Sequence, residues 1–154
     1  MRLMSFLTIL FATVFAALPV MAEEPAQREA LEKAFAEKLT NATLVGSFSV
    51  DGKEDAKTDR YQIVKAEKLE GDDWEITARM KIGQNQVDLP IVLKVFWADD
   101  TPVMSLTNLT IPGVGSAFTT RLMFHGDRYA GSWQHGSYGG LMWGRIEKTT
   151  EKTE

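Results

Sequence analysis

An all-β fold, a small antiparallel up-and-down barrel of about eight strands with one N-terminal helix, is what this sequence predicts. Three observations predict it. Apolar and polar residues exchange places at every second position from Thr43 to Lys148, the period of a strand with one buried face. Gly, Asp, Asn or Pro interrupts that rhythm about every ten residues, as turns between short strands do. Connections this short favour hairpins, and closing the sheet on itself removes the unpaired edges of an open sheet. A two-sheet β-sandwich is the alternative, because the same pattern serves both architectures.

The chain begins with one charge, Arg2, then an uncharged stretch from Leu3 through Phe6, Leu7, Ile9, Leu10, Phe11, Val14, Phe15 and Leu18. Pro19 breaks it, and Val20-Met21-Ala22 has the form of a cleavage site. Residues 1–22 are therefore expected to be a signal peptide cut after Ala22, which makes the domain secreted or periplasmic. Leu3 to Ala22 also approaches the length of a membrane-spanning helix. Pro19 and the lack of basic residues just after the stretch favour cleavage over a retained anchor, leaving no integral membrane span. The sequence has no cysteine, so disulfides and thiolate metal sites are excluded.

Loss of Arg2 leaves 16 basic and 21 acidic side chains, a net charge of −5 over 132 residues. That length suits one domain with one core. The acidic balance, with no Lys/Arg stripe in the sequence, argues against nucleic acid as a partner.

The helix is expected over Pro25 to Leu39, within an N-terminal segment of residues 23–40. Pro25 suits a first turn, Glu23 and Glu24 favour its positive end, and Leu31, Phe35 and Leu39 recur every four residues. Ala30 and Ala34 widen this stripe, while Arg28, Lys33 and Lys38 are expected to face away. The helix then plugs one end of the barrel or packs on its wall.

The barrel domain spans residues 41–148, followed by a charged, frayed tail over 149–154. Its first strand, Thr43 to Val50, places Leu44, Gly46, Phe48 and Val50 on one face. A polar loop from Asp51-Gly52 through Thr58 leads to a second strand from Arg60 to Leu69. After Glu70-Gly71-Asp72, the residues Trp74, Ile76, Ala78, Met80 and Ile82 alternate with Glu75, Thr77, Arg79 and Lys81. From Gln86 to Trp97, Val87, Leu89, Ile91, Leu93, Val95 and Trp97 share a face, and Pro90 is expected to bulge or bend that strand. Strands from Val103 to Ile111, Ser116 to Phe124, Arg128 to Gln134 and Leu141 to Glu147 complete the set.

Several stretches carry a resemblance. They are Leu44 through Gly52, Thr101-Pro102-Val103, Leu109 through Gly113, Tyr129-Ala130-Gly131-Ser132-Trp133, His135-Gly136, Gly139-Gly140 and Gly144-Arg145-Ile146. On these residues the chain resembles a family of uncharacterised exported bacterial proteins found mainly in planctomycetes, a resemblance that transfers no catalytic role. Gly46-Ser47-Phe48 after a short helix, with Arg145 on the last strand, is similar to the lipocalin-like barrels, which carry Gly-x-Trp on the first strand. That likeness implies a structural clamp in which Arg145 lies over Phe48, with Gly46 beside it, where the first and last strands meet.

No catalytic constellation stands out, so an enzyme is not expected, nor is a cofactor or metal. The two histidines, His125 and His135, flank one strand and should lie ~20 Å apart, too far to share a metal ion. His135, near Trp133, Ser137 and Tyr138, is the better functional candidate of the two. The bland reading of both is turn chemistry. Gly131, Gly139, Gly140 and Gly144 read as turn and close-approach positions, with Trp133 and Trp143 filling the core or spanning its edge.

Two functions fit. One is a binding module holding a small apolar or amphipathic ligand, with Trp74, Ile76, Met80, Leu93, Trp97 and Trp133 as the candidate barrel lining. The other is a structural or interaction protein of the cell envelope without a ligand. In that case Val92, Phe96 and Met104, opposite the cleaner apolar faces, form an exposed patch for an envelope protein.

Overall fold

The computed structural model describes residues 25–82 and 84–149. The signal peptide expected over residues 1–22 and the tail beyond Thr149 lie outside the described residues. The elements follow the two-residue rhythm: α1 (Pro25–Leu39), β1 (Ala42–Phe48), β2 (Lys57–Lys68), β3 (Asp73–Ile82), β4 (Asn85–Ala98), β5 (Thr101–Ile111), β6 (Gly115–His125), β7 (Arg128–His135) and β8 (Tyr138–Lys148). Each strand pairs antiparallel with the next, and β8 pairs back onto β1, so the sheet is a closed up-and-down barrel. The sandwich alternative is thereby excluded.

Closure rests on seven consecutive pairs, from Ala42 opposite Lys148 to Phe48 opposite Met142. Backbone bonds extend the seam past both ends, Ser49 N–H to Leu141 O and Thr149 N–H to Asn41 O, each at 2.8 Å. Along β1 the residues Ala42, Leu44, Gly46 and Phe48 face inward, and Thr43, Val45 and Ser47 face outward, as alternation requires. Three irregularities reverse that parity elsewhere. The first falls between Ile63 and Lys65 on β2, the second between Leu106 and Leu109 on β5, and the third where Leu109 and Ile111 face Phe118 and Gly115 of β6. At the second, Asn108 adopts a left-handed backbone (φ 52°), which Asn tolerates better than most residues.

The helix plugs the end of the barrel where β2, β4 and β6 finish. Phe35 packs edge-on against Trp74, Trp97 and Phe124, with ring centroids at 5.4, 6.0 and 5.3 Å. Trp74 and Leu39 are fully buried. Polar bonds fasten the rim: Lys38 Nζ donates to Gly126 O at 2.7 Å and Lys148 Nζ to Thr40 O at 2.8 Å. The apolar stripe is narrower than the sequence suggests, since Ala30 and Ala34 are exposed. Lys38, bonded to Gly126, does not face away, and neither does Arg28. Its guanidinium lies 4.9 Å from the Trp97 ring centroid, because residue 28 sits two turns before Phe35 on the same face.

Pro90 does not bulge β4. It pairs in register opposite Thr77, at a place where the other edge of β4 carries no ladder, so the missing donor costs least there. Met104 is also misplaced by the sequence reading. It is buried and faces inward between Val95 and Leu122, whereas Val92 and Phe96 are exposed as expected.

Truncation of Phe35 to Ala removes the three ring contacts that seal this end. We expect a loss of about 3–5 kcal/mol, read as a lowered urea midpoint with an unchanged m-value. An unaltered midpoint would remove the plug from this account.

Candidate ligand site

The end opposite α1 is built differently, because two ladders stop short of it. Pairing of β2 with β3 ends at Gln62 and Arg79, and pairing of β4 with β5 ends at Lys94 and Ser105. The β3–β4 hairpin itself stays paired to its tip, Ile82 opposite Asn85. From Met80 and Val87 to its tip the hairpin therefore has two free edges. The tip lies against the turn at Gly113, where an added Cβ would come 3.4 Å from Ile82 Cγ2.

Inward-facing side chains beside these gaps are only partly covered. Tyr61 and Val87 keep 40% and 36% of their surface exposed, although both belong to inward rows, Tyr61 opposite Leu44 and Val87 opposite Met80. Phe48, Met80, Leu89 and Trp133 are half-buried. Trp133 packs edge-on against Phe48 at 5.7 Å and donates its Nε1–H to Ser49 O at 3.0 Å. At the rim His135 stacks on Phe118 with centroids 4.1 Å apart, so its ring is held by an aromatic face. His125 lies at the plugged end opposite Arg128, and the two histidines are on opposite ends, as the sequence spacing required.

The six candidate lining residues all face inward, but the fold divides them. Trp74, Ile76, Leu93 and Trp97 belong to the packed core next to α1, while Met80 and Trp133 border the open half. The clamp expected between Arg145 and Phe48 is not formed. Arg145 pairs opposite Val45 and faces outward, bonded to Glu147 at 3.2 Å, while Phe48 faces inward. The run Leu141-Met142-Trp143-Gly144-Arg145-Ile146 is apolar at both parities, and Met142, Gly144 and Ile146 take the inward one. Trp143 accordingly stands on the outer wall rather than in the core. Between them, α1 and Trp97 make the arginine–indole contact instead.

One inward row was missed by the sequence reading, which began the second strand only at Arg60. Asp59 pairs opposite Gly46, Gly46 opposite Gly144, and Gly144 opposite Tyr129. The two glycines leave room for the Tyr129 ring: a Cβ on Gly144 would come 2.8 Å from its Cε1, and one on Gly46 2.5 Å from its Oη. Tyr61 Oη donates to Asp59 Oδ2 at 2.5 Å. The alternation Asp59, Tyr61, Ile63 was the signal in the sequence. Partial burial, then the Asp59 bond and its charge, push the Tyr61 phenol well above its usual range, and burial raises Tyr129 likewise.

Deeper in the interior, the indole N–H groups of Trp74 and Trp97 are buried with no acceptor among the described residues. A donor left this way costs about 1–3 kcal/mol. An acceptor-bearing ligand that reached this depth would satisfy it.

No family model, curated protein or solved structure matches the chain. No helix among the described residues is long and apolar enough to cross a membrane.

The tyrosine pair has a consequence for alkaline stability. Folding favours the neutral phenol, whose unfolded reference lies near ~10. The stabilisation is therefore complete below that pH and is lost as pH climbs through it toward the raised folded value. Absorbance titration near 295 nm should show late ionisation that Tyr61→Phe reduces, and Asp59→Asn should bring it earlier. A titration curve identical in Tyr61→Phe would contradict the assignment.

Proposed function

We propose that the chain is an exported barrel, secreted or periplasmic, that takes a small apolar or amphipathic ligand into the half of its interior away from α1. One observation carries this reading. Inward aromatic and aliphatic side chains stay partly exposed where the β2–β3 and β4–β5 ladders stop, whereas those near α1 are sealed. Apolar surface facing a concavity is the usual form of a small-molecule site. Asp59 and the Tyr61 hydroxyl supply the few polar groups that would orient a ligand. The hairpin tip, free on both edges, can move without breaking ladder bonds.

Titration of tryptophan fluorescence with a fatty acid, haem and a disaccharide tests it, since Trp133 borders the mouth. The fatty acid is expected to give a saturable change and the disaccharide none. Met80→Glu places a charge among the lining side chains and should weaken binding about tenfold or more. A flat response to both apolar compounds would overturn the reading.

A second reading is favoured by Val92 and Phe96, 56% and 45% exposed on the outer face of β4. On that reading the barrel is an interaction protein of the cell envelope and carries no ligand. Elution as a lone monomer, with nothing retained from envelope extract, would count against it.

A further inference from the structure

Outward-facing residues of β6, β7, β8 and β1 form two adjacent cross-strand rows that the interior site does not use. In one, Met123 pairs with Ala130, Ala130 with Trp143, and Trp143 with Ser47. In the next, two residues nearer α1, His125 pairs with Arg128, Arg128 with Arg145, and Arg145 with Val45. Ala130 is short, so Met123 and Trp143, 49% and 42% exposed, stand as walls on either side of it. A depression of about 600 Å³ lies over both rows.

The charges in the second row are placed against each other. Residues directly opposite on neighbouring strands have Cβ atoms about 5 Å apart, and like charges there destabilise the sheet. Arg145 is partly compensated by Glu147 at 3.2 Å. Among the described residues, no carboxylate lies within ion-pair distance of Arg128. In a chain of net charge −4, with many acids at hand, this pair of cations stands beside an exposed indole with one of them unmatched. An anion between the two guanidinium groups would turn the repulsion into attraction, and the guanidinium fork suits carboxylate and phosphate oxygens.

We propose that this depression binds an anionic amphiphile. Its carboxylate or phosphate head sits between Arg128 and Arg145, and its apolar body lies over Ala130 between Met123 and Trp143. The site is on the outside of the barrel wall and does not depend on the interior reading.

The test uses dihexanoyl phosphatidylglycerol below its micelle concentration, titrated by calorimetry, with dihexanoyl phosphatidylcholine as the lipid of equal tail and no net charge. The anionic lipid should bind at least about tenfold more tightly and weaken in about 0.5 M salt. The double variant Arg128→Ser, Arg145→Ser should lose that preference while its thermal midpoint stays level or rises, because the repulsion is gone. Trp143→Ala should weaken the anionic lipid without restoring binding of the neutral one. In a second arm, co-sedimentation with phosphatidylglycerol vesicles distinguishes a free amphiphile from a bilayer headgroup. Vesicle binding that the double variant abolishes, with no binding of the monomeric lipid, supports the same head chemistry drawn from a membrane surface. Equal affinity for the two short lipids, or anionic binding that the double variant leaves intact in both arms, overturns the proposal.

Discussion

The ladder between β1 and β8 is the constraint on which the rest of the molecule depends. Neither strand can be stable as the border of an open sheet without exposing a row of unpaired donors and acceptors. Joining them satisfies both rows and gives every strand an inside and an outside. The seam also has a local requirement. Gly46 and Gly144 face each other inward, and the Tyr129 ring crosses the space their missing side chains leave. With β7 anchored over the seam in this way, the junction of first and last strands is covered from within rather than bolted by a cation from without.

Closure divides the interior into two regimes. Near α1 the barrel is a conventional core in which Phe35, Trp74, Trp97 and Phe124 meet at aromatic edge contacts, an arrangement favoured by the ring quadrupole. Away from α1 the strands β2 and β3, and β4 and β5, separate before their ends. The first half confers stability and the second half forgoes some of it.

Much of this architecture could be read from the sequence. The alternation from Trp74 to Ile82 gave strand and face together, and the four-residue recurrence of Leu31, Phe35 and Leu39 marked the helix. Parity was harder to read where apolar residues occur at both positions. Val103-Met104-Ser105-Leu106 cannot be oriented by pattern alone, and the irregularity at Asn108 then exchanges the two faces, which is why Met104 is inside. Arg145 lies on the predicted strand beside the predicted partner strand, yet one residue of parity puts it on the wrong side of the wall for Phe48. The open half was illegible for a different reason. Where a ladder stops is decided by how tightly a closed sheet must curve, and no short-range pattern records that. The cross-strand meeting of Arg128 with Arg145 is also a property of register, invisible to a reading that follows the chain.

Beyond Arg79 the β3–β4 hairpin carries backbone amides and carbonyls without a ladder partner along both of its borders. Such borders invite a second chain to add itself as an extra strand. This one carries Pro90 midway along β4, and the bidentate Arg79–Asp88 pair on its outer surface, with oxygens at 2.6 and 2.8 Å. A ring that cannot donate and a fixed pair of charges make poor templates for extended peptide. The unladdered borders of the hairpin are thereby kept from becoming a route to fibrous self-association.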